Sequence, residues 1–140
     1  MYRTVLFRAK RVKADDPQER FIEGSLVSYI DMHGKRVYSI VSDAGMRNDI
    51  QADTLGEFTG LKDKSGTPIF EGDIIRSYDS KGELIIHSVI YDEKEAGFCT
   101  KILHSRMSDL FARGSISQDW INKYDKYVIG NIYDNPDLLK

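Results

Sequence analysis

The chain has 140 residues, 41% hydrophobic and 30% charged, and its 20 Lys and Arg against 22 Asp and Glu leave a net charge of -2. Such totals suit a soluble protein that buries roughly two-thirds of its unfolded surface around an apolar core. They argue against a polyanion binder driven by bulk charge, and the lone Cys99 excludes an internal disulfide framework and fits a reducing compartment.

Near the start, Val5-Leu6-Phe7 is too short an apolar run for a signal peptide, and no later run approaches membrane-spanning length. A cytoplasmic protein with no membrane partner is therefore expected. A first strand is predicted from Val5 through Val12. The segment 1–13 holds five basic side chains (Arg3, Arg8, Lys10, Arg11, Lys13) and no acids. Because they fall on both strand parities, an edge strand that keeps its charges in water is preferred to a phosphate-binding stripe. Residues 13–19 read as a polar loop. The β-rich runs 21–30 and 35–41 flank the turn Asp31-Met32-His33-Gly34 and predict a β-hairpin, with Gly24 a bulge or a close backbone approach. Residues 42–52 read as a loop or an irregular excursion.

Four of the eleven glycines (Gly56, Gly60, Gly66, Gly72) fall between residues 54 and 75. This stretch is predicted as a run of tight turns feeding a strand. Asp63-Lys64-Ser65-Gly66 is one turn, Pro68 starts the extended piece Ile69-Phe70, and Glu71-Gly72-Asp73 is a second turn releasing a strand over 74–78. A turn at 79–82, a long β-run over 83–91 and another strand over 98–103 complete a meander or small barrel. A helix is predicted over 105–113, capped by Ser105, with Met107, Leu110 and Phe111 on one face and Gly114 ending it. Residues 117–122 read as a further helical turn with Trp120 in the core, and 126–133 as a last strand. Asn135 and Pro136 are expected to cap and open a terminal helical turn.

Two blocks identify a family. The first contains Phe58, Thr59, Gly60, Leu61, Asp63 and Gly66, then Ile69, Glu71, Gly72, Asp73 and Ile74. The second contains Gly130, Asn131, Tyr133, Asn135 and Pro136. Together with Phe7 to Val12 and Ile22 to Leu26, they resemble the signature of the YopX family of phage and prophage proteins across nearly the whole chain. The resemblance implies a mainly β fold with an SH3-type barrel, action inside a bacterial host, and no catalytic residues to carry over. The resulting expectation is N-terminal strands and a hairpin over 1–54, and an SH3-like barrel core over 55–140.

No chemistry emerges from the motifs themselves. The glycine spacing lacks the Gly-Lys-Ser/Thr of a phosphate loop, so the glycines are assigned to turns or bulges. Asp63, Glu71 and Asp73 are able to converge on a hard cation, yet bonding to nearby backbone amides is the simpler use. His33, His87 and His104 stand far apart without zinc-site spacing, and Cys99 reads as a small buried or half-buried strand residue rather than a nucleophile. No catalytic residue, cofactor or metal is expected. Tyr78, Tyr91, Phe98, Tyr124, Tyr127 and Tyr133 offer stacking surfaces for nucleic acid, but residues 79–140 lack a basic excess. The preferred reading is a non-enzymatic module that self-associates or binds a host or phage protein, with a nucleic-acid-binding β-barrel as the alternative.

Overall fold

The computed structural model describes residues 3–12, 21–106 and 112–139. The chain divides after Phe58 into two compact units. Both are built from antiparallel strands, because β-branched and aromatic residues alternate between turn residues along most of the chain.

In the first unit, β1 (Phe7–Lys10), β2 (Phe21–Ile30), β3 (Arg36–Val41) and β4 (Arg47–Asp49) lie in the order β4-β3-β2-β1, and the start of β5 (Gly56–Lys62) flanks β1. The hairpin expected around residues 31–34 is β2–β3, with Tyr29 opposite Val37 and Ser25 opposite Val41. Asp31 Oδ1 accepts from the N–H groups of His33 and Lys35, which closes the turn. A Cβ on Gly24 would lie 2.1 Å from the Val41 carbonyl oxygen, so the close backbone approach is real. The core consists of Ala9, Ile40 and Ile50, with Phe7, Ile22, Leu26, Tyr38 and Leu55 packed against them.

Two expectations change here. The first strand begins at Phe7 and is not an edge, since it is held between β2 and β5; Arg8 and Lys10 lie over the Phe21 ring instead of guarding a free strand. The segment 42–52 is not simply a loop. Gly45 turns at φ +77°, Arg47 then pairs with Val41, and a 3-10 turn follows over Ala52–Thr54. Arg47-Asn48-Asp49 has weak strand propensity, so the exposed edge of β3 supplies the order. The predicted polar loop 13–19, Lys13 included, lies outside the described residues.

In the second unit, the remainder of β5 neighbours β6 (Pro68–Phe70). A five-stranded sheet follows in the order β10-β9-β8-β7-β11. Its strands are β7 (Asp73–Tyr78), β8 (Leu84–Asp92), β9 (Gly97–His104), β10 (Arg113–Ser115) and β11 (Tyr127–Asn131). Ile69, Ile75, Val89 and Ile121 form its buried core, backed by Leu61, Ile116, Trp120 and Val128. Burying each such side chain is worth about 1.5–3 kcal/mol. Ile121 comes from α1 (Gln118–Lys123), the helical turn expected there; Ser117 Oγ caps it by accepting the Trp120 N–H.

The five-stranded sheet has β10 and β11 as its edges, so its ladder is open and does not close into the expected barrel. Residues 56–62 form strand rather than turn. Gly60 takes φ +86° within it, and the Thr59 hydroxyl donates to the Ile69 carbonyl at 2.8 Å while accepting the Leu61 N–H. The predicted helix over 105–113 fails at both described ends: Ser105 is not helical, and Gly114 pairs with Thr100 within β10. Met107, Leu110 and Phe111 lie outside the described residues.

Candidate functional site

The two glycine- and asparagine-rich blocks are stitched to one another. Asp63 Oδ1 accepts from the Ser65 and Thr67 N–H groups and the Ser65 hydroxyl, while Oδ2 reaches across to the Val128 N–H at 3.0 Å. Burial opposes ionisation of this carboxyl, but those four donors outweigh it and hold the group below its ordinary range. Gly72 turns at φ +93°; its carbonyl accepts the Ile132 N–H, and a Cβ there would sit 3.2 Å from the Tyr133 ring. Asp73 accepts the Phe70 N–H at 2.8 Å. Asn131 Oδ1 accepts the N–H groups of Tyr133 and Asp134. The Asn135 side chain turns back to accept the Asn131 N–H, its backbone carbonyl accepts the Leu138 N–H at the head of the 3-10 turn Pro136–Leu139, and its amide fills the space beside Gly130. Ile69 and Ile74 are fully buried, and Leu61 packs on the core. Among the described residues, no three His, Cys, Asp or Glu side chains gather as a metal would require.

Cys99 sits half-buried in β9, where burial first and the Asp92 carboxylate second push its thiol up, the opposite of what a nucleophile needs. Of the candidate stacking residues, Tyr91 and Phe98 meet edge to face at 5.5 Å, and the Arg76 guanidinium lies over both Tyr78 and Tyr127.

A different set of side chains forms the best-built site. The parity that points Val89 into the core also points His87 and Ile85 inward, since alternate residues of a strand share a face. His87 is flanked by Ile75 on β7 and Ile102 on β9 and meets the Trp120 ring edge to face at 5.4 Å. Only 6% of it is exposed, and among the described residues neither ring nitrogen has a hydrogen-bond partner. Burial, with the Lys126 charge beside it, pulls its pKa down to about 4, so the imidazole is neutral at pH 7, offering one donor and one acceptor.

Lys126 reaches the same place through the end of α1. Tyr124 N–H bonds the Trp120 carbonyl, Asp125 adopts φ +48°, and Lys126 N–H returns to the Ile121 carbonyl at 3.1 Å. This six-to-one closure normally employs glycine at the left-handed position. It leaves Lys126 as a residue 4% exposed, with its ammonium 4.3 Å from the Trp120 ring centre and donating to the Ser77 hydroxyl. Burial lowers this amine to about 8. Around these groups opens a cleft of about 380 Å³ whose walls include Tyr78, Tyr124 and Trp120, with Asp79 at its rim. Asp79 Oδ1 is occupied by turn amides, while its Oδ2 is buried without a partner.

Sequence reasoning singled out His87 only as an isolated histidine and left Lys126 and Asp79 without a functional role. The one available signal was a histidine on the apolar parity of the longest β-run. No comparable signal marks Lys126, whose placement depends on the turn at Asp125.

Comparison with known proteins adds the following. The family model described as YopX protein matches residues 7–140. The crystal structure of protein EF1440 from Enterococcus faecalis is similar to this chain, with a TM-score of 0.59 and 26% identity, covering 99% of this chain and 100% of that one. No curated protein matches. Among the described residues, no helix is long and apolar enough to cross a membrane.

Proposed function

This chain belongs to the YopX family, and from that premise we propose that it is a non-enzymatic, partner-binding or self-assembling module encoded by a phage or prophage and acting in the bacterial cytoplasm. The observation that supports this reading is the far end of the β2–β3 hairpin. Tyr29 and Ile30 are exposed at the end of β2, Ile30 by 52%, and Met32 stands 96% exposed in the turn. Apolar side chains exposed at a hairpin end suit burial against a second surface, whether another copy or a host or phage protein. Light scattering across a wide concentration range tests self-assembly, and capture from the bacterial host tests a protein partner. Association that is lost with Ile30→Asp or Met32→Asp supports the reading. A strict monomer that captures no partner dependent on these side chains refutes it.

The second reading is a nucleic-acid-binding domain built on an SH3-type sheet. It draws on the collection of Tyr78, Tyr124 and Trp120 around one cleft. The net charge of -2 makes an extended electrostatic groove a poor source of its affinity. Retardation of single-stranded or duplex DNA or RNA at low salt tests it, and no shift with any of them ends it.

A further inference from the structure

The cleft beside Lys126 contains three kinds of unmet chemistry. Among the described residues, His87 has two buried nitrogens without hydrogen-bond partners, and Asp79 has a buried oxygen without one. Lys126 has three N–H donors, of which the Ser77 hydroxyl accepts one. Groups buried this way cost stability unless something satisfies them. A simple anion fits poorly, because the Asp79 carboxylate shares the lining and cancels the Lys126 charge. A metal ion fits poorly too, because the ammonium would repel it. What the lining complements is a neutral edge bearing both donors and acceptors: acceptors for Lys126, donors for Asp79, and either for His87. The remaining walls are flat or apolar, from Tyr78, Tyr124 and Ile85. About 380 Å³ lies at the lower end of the range for small-molecule pockets, roughly 300–1,000 Å³.

We propose that this cleft binds a single nucleobase, with its ring against the aromatic walls and its polar edge meeting Lys126, His87 and Asp79. A base edge combines ring N–H, exocyclic amine and carbonyl groups in one plane, and its faces stack on aromatic side chains. The proposal is independent of hairpin-mediated association and requires no extended basic groove. The base is supplied either by a free nucleotide or by an unstacked residue of a single strand.

Trp120 is the only tryptophan of the chain, so its indole N–H is an unambiguous reporter in isotope-edited NMR of the full protein. The titrants are the four ribonucleoside monophosphates and short single-stranded oligonucleotides, with ribose 5-phosphate and inorganic phosphate as controls. At least one nucleotide or oligonucleotide is expected to shift the Trp120 signal saturably, with neither control doing so. Mononucleotide binding identifies a free nucleotide as the source, and response to oligonucleotides alone identifies a strand. Lys126→Met and Tyr124→Ala should each weaken binding about tenfold, the loss of one stacking or polar wall. Tyr124 is 48% exposed, so its replacement tests the site even where the Lys126 variant fails to fold. The proposal is overturned if no base-bearing titrant shifts Trp120 at millimolar concentration. It is equally overturned if ribose 5-phosphate or phosphate binds as well as the nucleotides, or if the Tyr124 variant binds unchanged.

Discussion

Replacing His87 by phenylalanine should uncouple the stability of the protein from mild acid. Folded His87 protonates near 4, whereas the same group protonates near 6.5 in the ordinary solvated state. Between those values the unfolded chain binds more protons than the native one, so stability rises with pH and falls as the solution is acidified. At 1.36 kcal/mol per pKa unit, the loss at pH 5 relative to pH 7 is about 2 kcal/mol, approaching about 3 kcal/mol below pH 4. Burial is the main cause of the shift, so the penalty belongs to the site and not to a removable ion pair. Phenylalanine keeps the edge contact with Trp120 and discards both unpartnered nitrogens, so His87→Phe should match or exceed wild-type stability at pH 7. Urea unfolding of both proteins at pH 7 and pH 5 measures the difference, and the variant subtracts every other titrating group. The His87→Phe protein should be more stable than wild type at pH 5 by about 2 kcal/mol beyond any difference at pH 7. Identical pH dependence of the two proteins would refute the reasoning.

Four further substitutions examine the frame that holds the site. In Gly130→Ala the new Cβ meets Asn135 Oδ1 at 2.3 Å and Cγ at 2.6 Å, so a loss of about 1–3 kcal/mol is expected in thermal or urea unfolding. Adding Asn135→Ala should recover part of it, making the double variant less destabilised than the sum. Asp63→Ala strips the acceptor from four donors and unties the 63–67 turn from β11. It should cost about 2–4 kcal/mol, and less than 1 kcal/mol would deny the carboxylate its role. The wild-type Asp63 contribution should vanish as pH falls below the usual carboxylate range, because its folded pKa is the lower one. Asp125→Gly relieves a left-handed backbone at φ +48° and should stabilise by about 1 kcal/mol, since the exposed Lys64 ion pair it removes is worth little.

The parts of the fold that rest on local rules were legible in the sequence. The β2–β3 hairpin follows from two alternating runs around Asp31 and Gly34, and β7, β8 and β9 follow from branched residues between turns centred on Asp79 and on residues 92–97. Strands β4 and β10 were not legible. Arg47-Asn48-Asp49 and Arg113-Gly114-Ser115 have little strand preference and are ordered by the edges of β3 and β9. Gly60 misled for a related reason: a glycine in a glycine-rich run reads as a turn, but the flanking ladder accommodates its positive φ within β5. The expected barrel follows from the number and spacing of strands, but closure depends on whether edge residues find each other, which no local pattern encodes.

The same division separates family from site. The blocks 58–74 and 130–136 determine family membership on their own, because the requirements they meet are those of turns: a carboxylate accepting nearby amides, a glycine where Asn135 needs room. Tertiary structure alone revealed that the two blocks bind each other, the Gly72 carbonyl accepting the Ile132 N–H, and that Asp63 holds the Val128 amide just ahead of the second block. It alone brought Tyr78, Asp79, His87, Trp120 and Lys126 to one cleft. Those residues are separated by up to about a third of the chain and share no spacing rule. Their proximity comes from the β7–β8–β9 register and from the reversed backbone at Asp125, which turns an ordinary surface lysine into a buried ammonium beside an unpartnered histidine.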